Sequence, residues 1–332
     1  MCRQSPALLR LDVRLHGPGL GGLSALTRSA AAPASQGPRG SQRRSNVAAD
    51  AVAALGVAVC AARRRPRLSC RVHGTVRRRA LEPLGASQYE PTWSNPTGAV
   101  LAPLVQDQLW AAERPFVWNG MDVGGKMGVV RLPDGGLWIH SPVDLDEPLR
   151  ECLAALGPVR HVVSPNFEHV KWARQWKEAY PDATLWGVPT MTEWHPEISY
   201  DEELRKDGEP PAEWGGAFDM AYLDYETIPF TDKSFFHEVI FHHRPTRTLF
   251  CTDSFWSYPS EGLPFGSRAW KWGMDELFKP FYTGPMVGDK AKLRRVLDRV
   301  AAWDPKGLLP CHGKYQAEGA ASTFVEHMSA NL

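Results

Sequence analysis

Four side chains in this chain are of the types that hold a divalent metal ion: Glu168, His169, Asp253 and His312. Each stands where a short apolar run ends. Glu168 and His169 follow Val159–Ser164, Asp253 closes Thr248–Asp253, and His312 follows Leu308-Leu309-Pro310. Two carboxylates and two imidazoles suit zinc, iron or manganese, with zinc the first expectation. The absence of Cys from the set argues against a purely structural zinc. An ion with one open position acidifies a bound water and makes a nucleophile near neutral pH. Asp253 and His312 are also the candidate catalytic residues. Each residue has a plainer reading when taken alone. A His near a strand end is commonly a hydrogen-bonded structural group, and an Asp in Cys-Thr-Asp-Ser is commonly a turn or cap. The order Glu-His, then Asp, then a late His at strand ends is what favours a metal.

Other motifs carry less. His237-Glu238-Val-Ile-Phe-His242 has the residue types of a zincin His-Glu-x-x-His, but its second His comes one residue late. The segment is also β-prone, where a zincin needs one helical face. It reads as a strand with Glu238, Ile240 and His242 on one side. The glycines of Gly17–Gly22 have no preceding strand and are set aside. Beyond residue 85 no Gly-x-Ser-x-Gly elbow and no P-loop occurs. His140-Ser141 reads either as support for a site or as the start of a helix. Cys311 reads as a buried inert thiol before a reactive one. Trp256, Trp270 and Trp272 read as loop packing before the wall of a pocket.

The elements that must position these residues can be read from periodicity. Gly128–Arg131 and Gly136–His140 form a hairpin around Leu132-Pro133-Asp134-Gly135. Asp144–Leu156 has helical spacing and stops at Gly157-Pro158. Val159–Ser164 and Ala183–Val188 are strands. Glu168–Tyr180 reads as a helix, with Trp172, Trp176 and Tyr180 on one face. Phe235–His243 and Thr248–Phe255 form a second hairpin. Lys290–Trp303 is an amphipathic helix, Gly307–Pro310 a strand and Ala317–Ser329 a closing helix. Residues 81–115 read as an irregular arm broken by prolines, 190–220 as a polar excursion and 258–285 as irregular aromatic chain. Helices packed outside two mixed sheets is the layered α/β solution that fits.

Charge divides the chain. Residues 1–80 hold 15 arginines, no lysine and only two acids, Asp12 and Asp50, a balance of +13; residues 81–332 carry −12. A cationic, Ala/Ser-rich, acid-poor leader over 1–85 reads as a disordered transit segment, followed by an arm over 86–115 and a single domain over 116–330. A basic tail that binds RNA or acidic lipid is the alternative for the leader. The apolar run Ala51–Ala62 is too short to span a bilayer, and no membrane span is expected in the domain. The acidic domain argues against a nucleic-acid partner, and a small-molecule substrate is the partner expected of the hydrolase reading. Six cysteines without a CxxC pair point to free thiols, not a disulfide framework.

Four stretches resemble a known family: Ser164-Pro-Asn-Phe-Glu-His-Val-Lys-Trp, Phe235-Phe-His-Glu-Val-Ile-Phe-His-His, Leu249-Phe-Cys-Thr-Asp-Ser-Phe-Trp and Pro310-Cys-His-Gly. The family is domain of unknown function 4336, found in plants, algae and bacteria, which looks like a divergent branch of the metallo-β-lactamase fold. The resemblance spans about residues 112–315. It implies an αββα four-layer sandwich. It also implies that the superfamily motif His-x-His-x-Asp-His falls on Ser164-x-Asn166-x-Glu168-His169. Ser164 and Asn166 then replace two ligands of the first metal. The ligands of the second map onto Glu168, His169, Asp253 and His312. The resemblance thus implies at most one ion. Three functions stay open: a single-metal hydrolase of a small ester, thioester or phosphoester; a non-catalytic binding or assembly protein without metal; and a mononuclear iron redox enzyme. The family's usual owners and the leader imply a plastid, with the mitochondrion as the alternative.

Overall fold

A computed structural model describes residues 82–231 and 233–332. The expected leader up to residue 81, its apolar run Ala51–Ala62, and Cys2, Cys60 and Cys70 lie outside the described residues.

The described chain begins with β1 (Ala102–Val105), β2 (Leu109–Arg114), the small hairpin β3 (Val117–Trp118) and β4 (Met121–Asp122), then β5 (Gly125–Arg131) and β6 (Leu137–His140). Next come α1 (Glu147–Leu156), β7 (Val159–Val163), α2 (Ala173–Ala179), β8 (Thr184–Gly187), α3 (Met191–Trp194) and β9 (Glu202–Glu203). After these follow β10 (Phe218–Tyr222), β11 (Val239–His243) and β12 (Thr248–Cys251). The chain closes with α4 (Phe265–Trp272), a π-helical stretch Gly273–Phe278, α5 (Lys279–Tyr282), α6 (Lys290–Trp303), β13 (Gly307–Pro310) and α7 (Ala320–Met328).

Two sheets carry the architecture. The first has the order β1-β2-β5-β6-β7-β8-β9, the second β10-β11-β12-β13. Side chains that alternate along each strand divide between two cores. In β6, Leu137 and Ile139 face α1 and α2, where they meet Leu149, Leu153 and Trp176. Trp138 faces the other way, into the space between the sheets, with Phe218, Phe241 and Phe250 of the second sheet. On the far side of that sheet, Ile240, Leu249 and Leu308 meet Leu293, Val300 and Phe324 of α6 and α7. The result is four layers, helices outside two sheets, as the resemblance implied. Trp138 sits at the centre, its ring 4.4 Å from that of Phe218 and 5.2 Å from that of Phe241.

Local chemistry sets the helix ends. Asp146 caps α1 by accepting from the Leu149 amide at 3.0 Å, and Asp289 caps α6 by accepting from the Lys292 amide at 2.9 Å. The stripe Leu293, Val296, Leu297 and Val300 is the buried face of α6.

Several expectations are corrected. The arm is not irregular throughout: β1 and β2 extend the first sheet, and Pro103 is tolerated because β1 lies at its edge. The 190–220 excursion contributes the buried Trp214 and runs into β10, the edge of the second sheet. The aromatic segment 258–285 is largely helical. The helix expected from Glu168 begins only at Ala173. The strand expected from Phe235 begins only at Val239, after His237 adopts a positive φ of 54°. The last two departures shape the site.

Candidate metal centre

β6, β7, β12 and β13 are buried strands, and the residues after their C-terminal ends meet. Ser141 follows β6, His169 lies in the loop after β7, Asp253 follows β12 and His312 follows β13. The β6–β7 and β12–β13 pairs are parallel, so within each pair these ends share one edge of the sheet. Ligand sites of α/β proteins form at such carboxyl ends.

His169, Asp253 and His312 each offer one donor atom, and all three atoms lie within 4.8 Å of one another. Asp253 stands between the two imidazoles. Its Oδ2 is 3.2 Å from His169 Nε2, and its Oδ1 is 3.4 Å from His312 Nε2. The ring orientations are fixed from behind. His312 Nδ1 is 2.7 Å from the carbonyl oxygen of Gly124, which can only accept, so Nδ1 carries the proton and Nε2 is the atom presented inward. His169 Nδ1 is 2.7 Å from the Ser141 hydroxyl. Supporting bonds of this kind orient metal-ligating histidines. Ser141→Ala is therefore expected to weaken zinc binding about 10- to 100-fold, measured by competition with a chromogenic chelator. A loss under twofold would remove Ser141 from the site.

Two further polar residues shape the turn around these three side chains. Asn166, fully buried, donates to Asp253 Oδ2 at 2.6 Å and to Thr252 Oγ1 at 3.0 Å. Its Oδ1 accepts from the amides of Glu168 and His169 at 3.0 and 2.9 Å. This side-chain-to-backbone turn replaces the first turn of the expected helix. It also sets where Glu168 lies. With the backbone bent around Asn166, His169 points inward, while Glu168 is exposed on the pocket wall and outside the group of converging donors. Ser164, fully buried, accepts from the Tyr200 hydroxyl at 3.0 Å.

Beneath Asp253 lies Glu238, fully buried. It accepts from the amides of Thr252, Asp253 and Ser254 at 2.7, 2.9 and 2.8 Å, and from the Ser254 hydroxyl at 2.7 Å. A carboxylate within a buried apolar strand region was the available signal for it. Its zincin-like neighbours go elsewhere. His237 stacks on Phe167 at 4.2 Å, and His242 bonds Asp219 at 3.0 Å.

The electrostatics suit a cation. Burial alone would raise the Asp253 pKa, but the imidazoles of His169 and His312 hold it well below the usual carboxylate range. For His312, burial opposes the charge and Asp253 favours it, with a net upward shift. His140, behind Ser141, is kept neutral by burial and by His169, with its pKa pushed down to about 3. Burial pushes the Cys311 thiol well up, which makes it the inert thiol expected.

The cluster opens into a cavity of about 460 Å³. Phe116, Trp172, Phe236, Trp270 and Phe278 wall it, with Lys126 and Lys171 among the polar lining residues. Of the three tryptophans considered, Trp270 lines the cavity, Trp256 is buried and bonds Asp275, and Trp272 is exposed.

Residues 106–264 match the family model described as domain of unknown function (DUF4336). The matched segment includes Glu168, His169 and Asp253, whereas His312 lies beyond its C-terminal limit. Among solved structures, the chain is similar to the metallo-beta-lactamase DIM-1 exposed to ceftazidime, at 14% identity over 69% of this chain and 94% of that chain, with TM-score 0.49. It is similar to a metallo-beta-lactamase from Pontibacter korlensis at 12% identity, over 70% and 99% of the two chains, with TM-score 0.47. It is also similar to FIM-1 from Pseudomonas aeruginosa in the mono-zinc form, at 10% identity over 69% and 92%, with TM-score 0.46. No curated protein matches the chain. Among the described residues no helix is long and apolar enough to cross a membrane.

Proposed function

We propose that this protein is a hydrolase that uses one divalent ion, zinc, to cleave a small ester, thioester or phosphoester. The observation that carries the reading is the pair of imidazole Nε2 atoms converging on Asp253, at 3.2 and 3.4 Å, where the cavity reaches the cluster. Two imidazoles and one carboxylate are a ligand set of catalytic zinc, with a fourth position left for water or substrate. A zinc ion bound there supplies Lewis acidity, which lowers the pKa of water and polarises a carbonyl or phosphoryl oxygen.

The chain's own residues supply the rest. His169, Asp253 and His312 hold the ion. Ser141 and the Gly124 carbonyl fix the two rings, and Asn166 fixes the carboxylate. The aromatic walls bind the substrate and exclude water, which strengthens every electrostatic contact at the cluster. In the zinc-loaded protein, hydrolysis of a panel of p-nitrophenyl esters, thioesters and phosphoesters is expected, with loss on chelation and recovery when zinc is returned. Zinc-loaded protein inert toward the whole panel would contradict the reading.

One observation favours a second reading, a non-catalytic binding protein. Asp253 already has three partners in the chain, His169, His312 and Asn166, and the carboxylate is satisfied without an ion. That reading requires purified protein with no stoichiometric metal.

A further inference from the structure

The cavity itself carries information about what enters it. Its walls come from separate parts of the chain: Phe116 and Trp118 around the small β3–β4 hairpin, Trp172 before α2, Phe236 before β11, and Trp270 and Phe278 from α4 and the π-helical stretch. Aromatic surface contributed by so many elements is a built apolar chamber, not one loop packing on itself. At its mouth the apolar character continues outward. Trp118 is 48% exposed and Phe235 38% exposed, and the Trp118 ring lies 5.0 Å from that of Trp270.

The charges fit a neutral, apolar occupant. Lys126 is buried, 3.0 Å from the Glu113 carboxylate, and also donates to the Gly313 carbonyl, so its charge is already compensated. Lys171 sits over the rings of Phe116 and Trp172, at 4.8 and 4.6 Å. Among the described residues no arginine lines the cavity, while two carboxylates, Glu168 and Asp253, do. A phosphate dianion here would face two like charges without the bidentate guanidinium that phosphate sites favour.

We propose that the substrate is a carboxylic ester or thioester with an extended apolar acyl group, which lies in the aromatic chamber with its carbonyl at the His169–Asp253–His312 cluster. The proposal rests on the hydrolase reading and narrows it from three substrate classes to two, leaving out the phosphoester. Hydrolysis adds the oxygen of water to the acyl carbon and breaks the C–O or C–S bond. One water hydrogen leaves on the alcohol or thiol, and the other stays with the carboxylic acid.

The test has two arms on the full chain. In the first, the neutral amides acetamide, hexanamide and decanamide are titrated by calorimetry into metal-free and zinc-loaded protein. Affinity is expected to rise up to about fourfold per added methylene until the chamber is filled. Trp118→Glu and Phe235→Glu, both at exposed positions, are expected to flatten that dependence. In the second arm, p-nitrophenyl acetate, hexanoate, decanoate and phosphate are compared by kcat/KM, with the decanoate ester expected to lead. Affinity independent of chain length, or preferred turnover of the phosphate, overturns the proposal while leaving a metal-dependent hydrolase standing. Protein that takes up no zinc defeats the hydrolase reading, yet chain-length-dependent binding to it would still support the acyl chamber.

Discussion

Asp253→Asn is expected to lower zinc affinity more than 100-fold and to abolish zinc-dependent hydrolysis, with the protein still folded. Asp253 is the one acidic member of the converging group, and it touches both imidazoles. The amide is close in size and keeps the packing, but removes the negative charge that attracts the ion. Substitutions of residues that merely support a metal site cost 10- to 100-fold in affinity, so removing an anionic ligand should exceed that. Competition with a chromogenic chelator, alongside circular dichroism to check folding, measures the effect. A variant that binds zinc as the parent does would place the ion elsewhere or nowhere.

Glu238→Ala is expected to destabilise the protein by about 3–5 kcal/mol, the range for breaking a buried charged network. The substitution strands three buried amides and a hydroxyl at residues 252–254. Burial raises the Glu238 pKa and the neighbouring Asp253 raises it further, so the carboxylate is held there by those four donors. Because the stranded donors belong to the turn that carries Asp253, zinc binding should fall together with stability. Glu238→Gln, which keeps one acceptor oxygen, should cost less than the alanine variant. Urea denaturation of both variants measures this. A loss below about 1 kcal/mol for the alanine variant would mean that the turn finds other acceptors.

The helix α6 is legible in the sequence because its stripe and its Asp289 cap are local signals. β6 and β7 are legible because their apolar runs are bounded by turn residues. β2 is not. Leu109-Trp-Ala-Ala-Glu-Arg has little β-propensity and becomes a strand only by pairing along its length with β5. β10 is hidden in the same way, since Asp219 and Met220 are ordered by their register against β11.

At the candidate site, strand-end position brought His169, Asp253 and His312 to attention, and those three converge. Glu168 stands apart from them, because sequence adjacency to His169 says nothing about direction once Asn166 bends the backbone. Asn166 itself was visible only as a missing histidine, although its amide now contacts Asp253. The supports from Ser141 and the Gly124 carbonyl come from residues distant in the chain, and no local pattern encodes such contacts.

The most direct test is elemental analysis of the purified protein, set beside its Asp253→Asn variant. About one zinc per chain is expected in the parent and none in the variant. Parent protein without stoichiometric metal, or carrying iron in place of zinc, would contradict the proposed function.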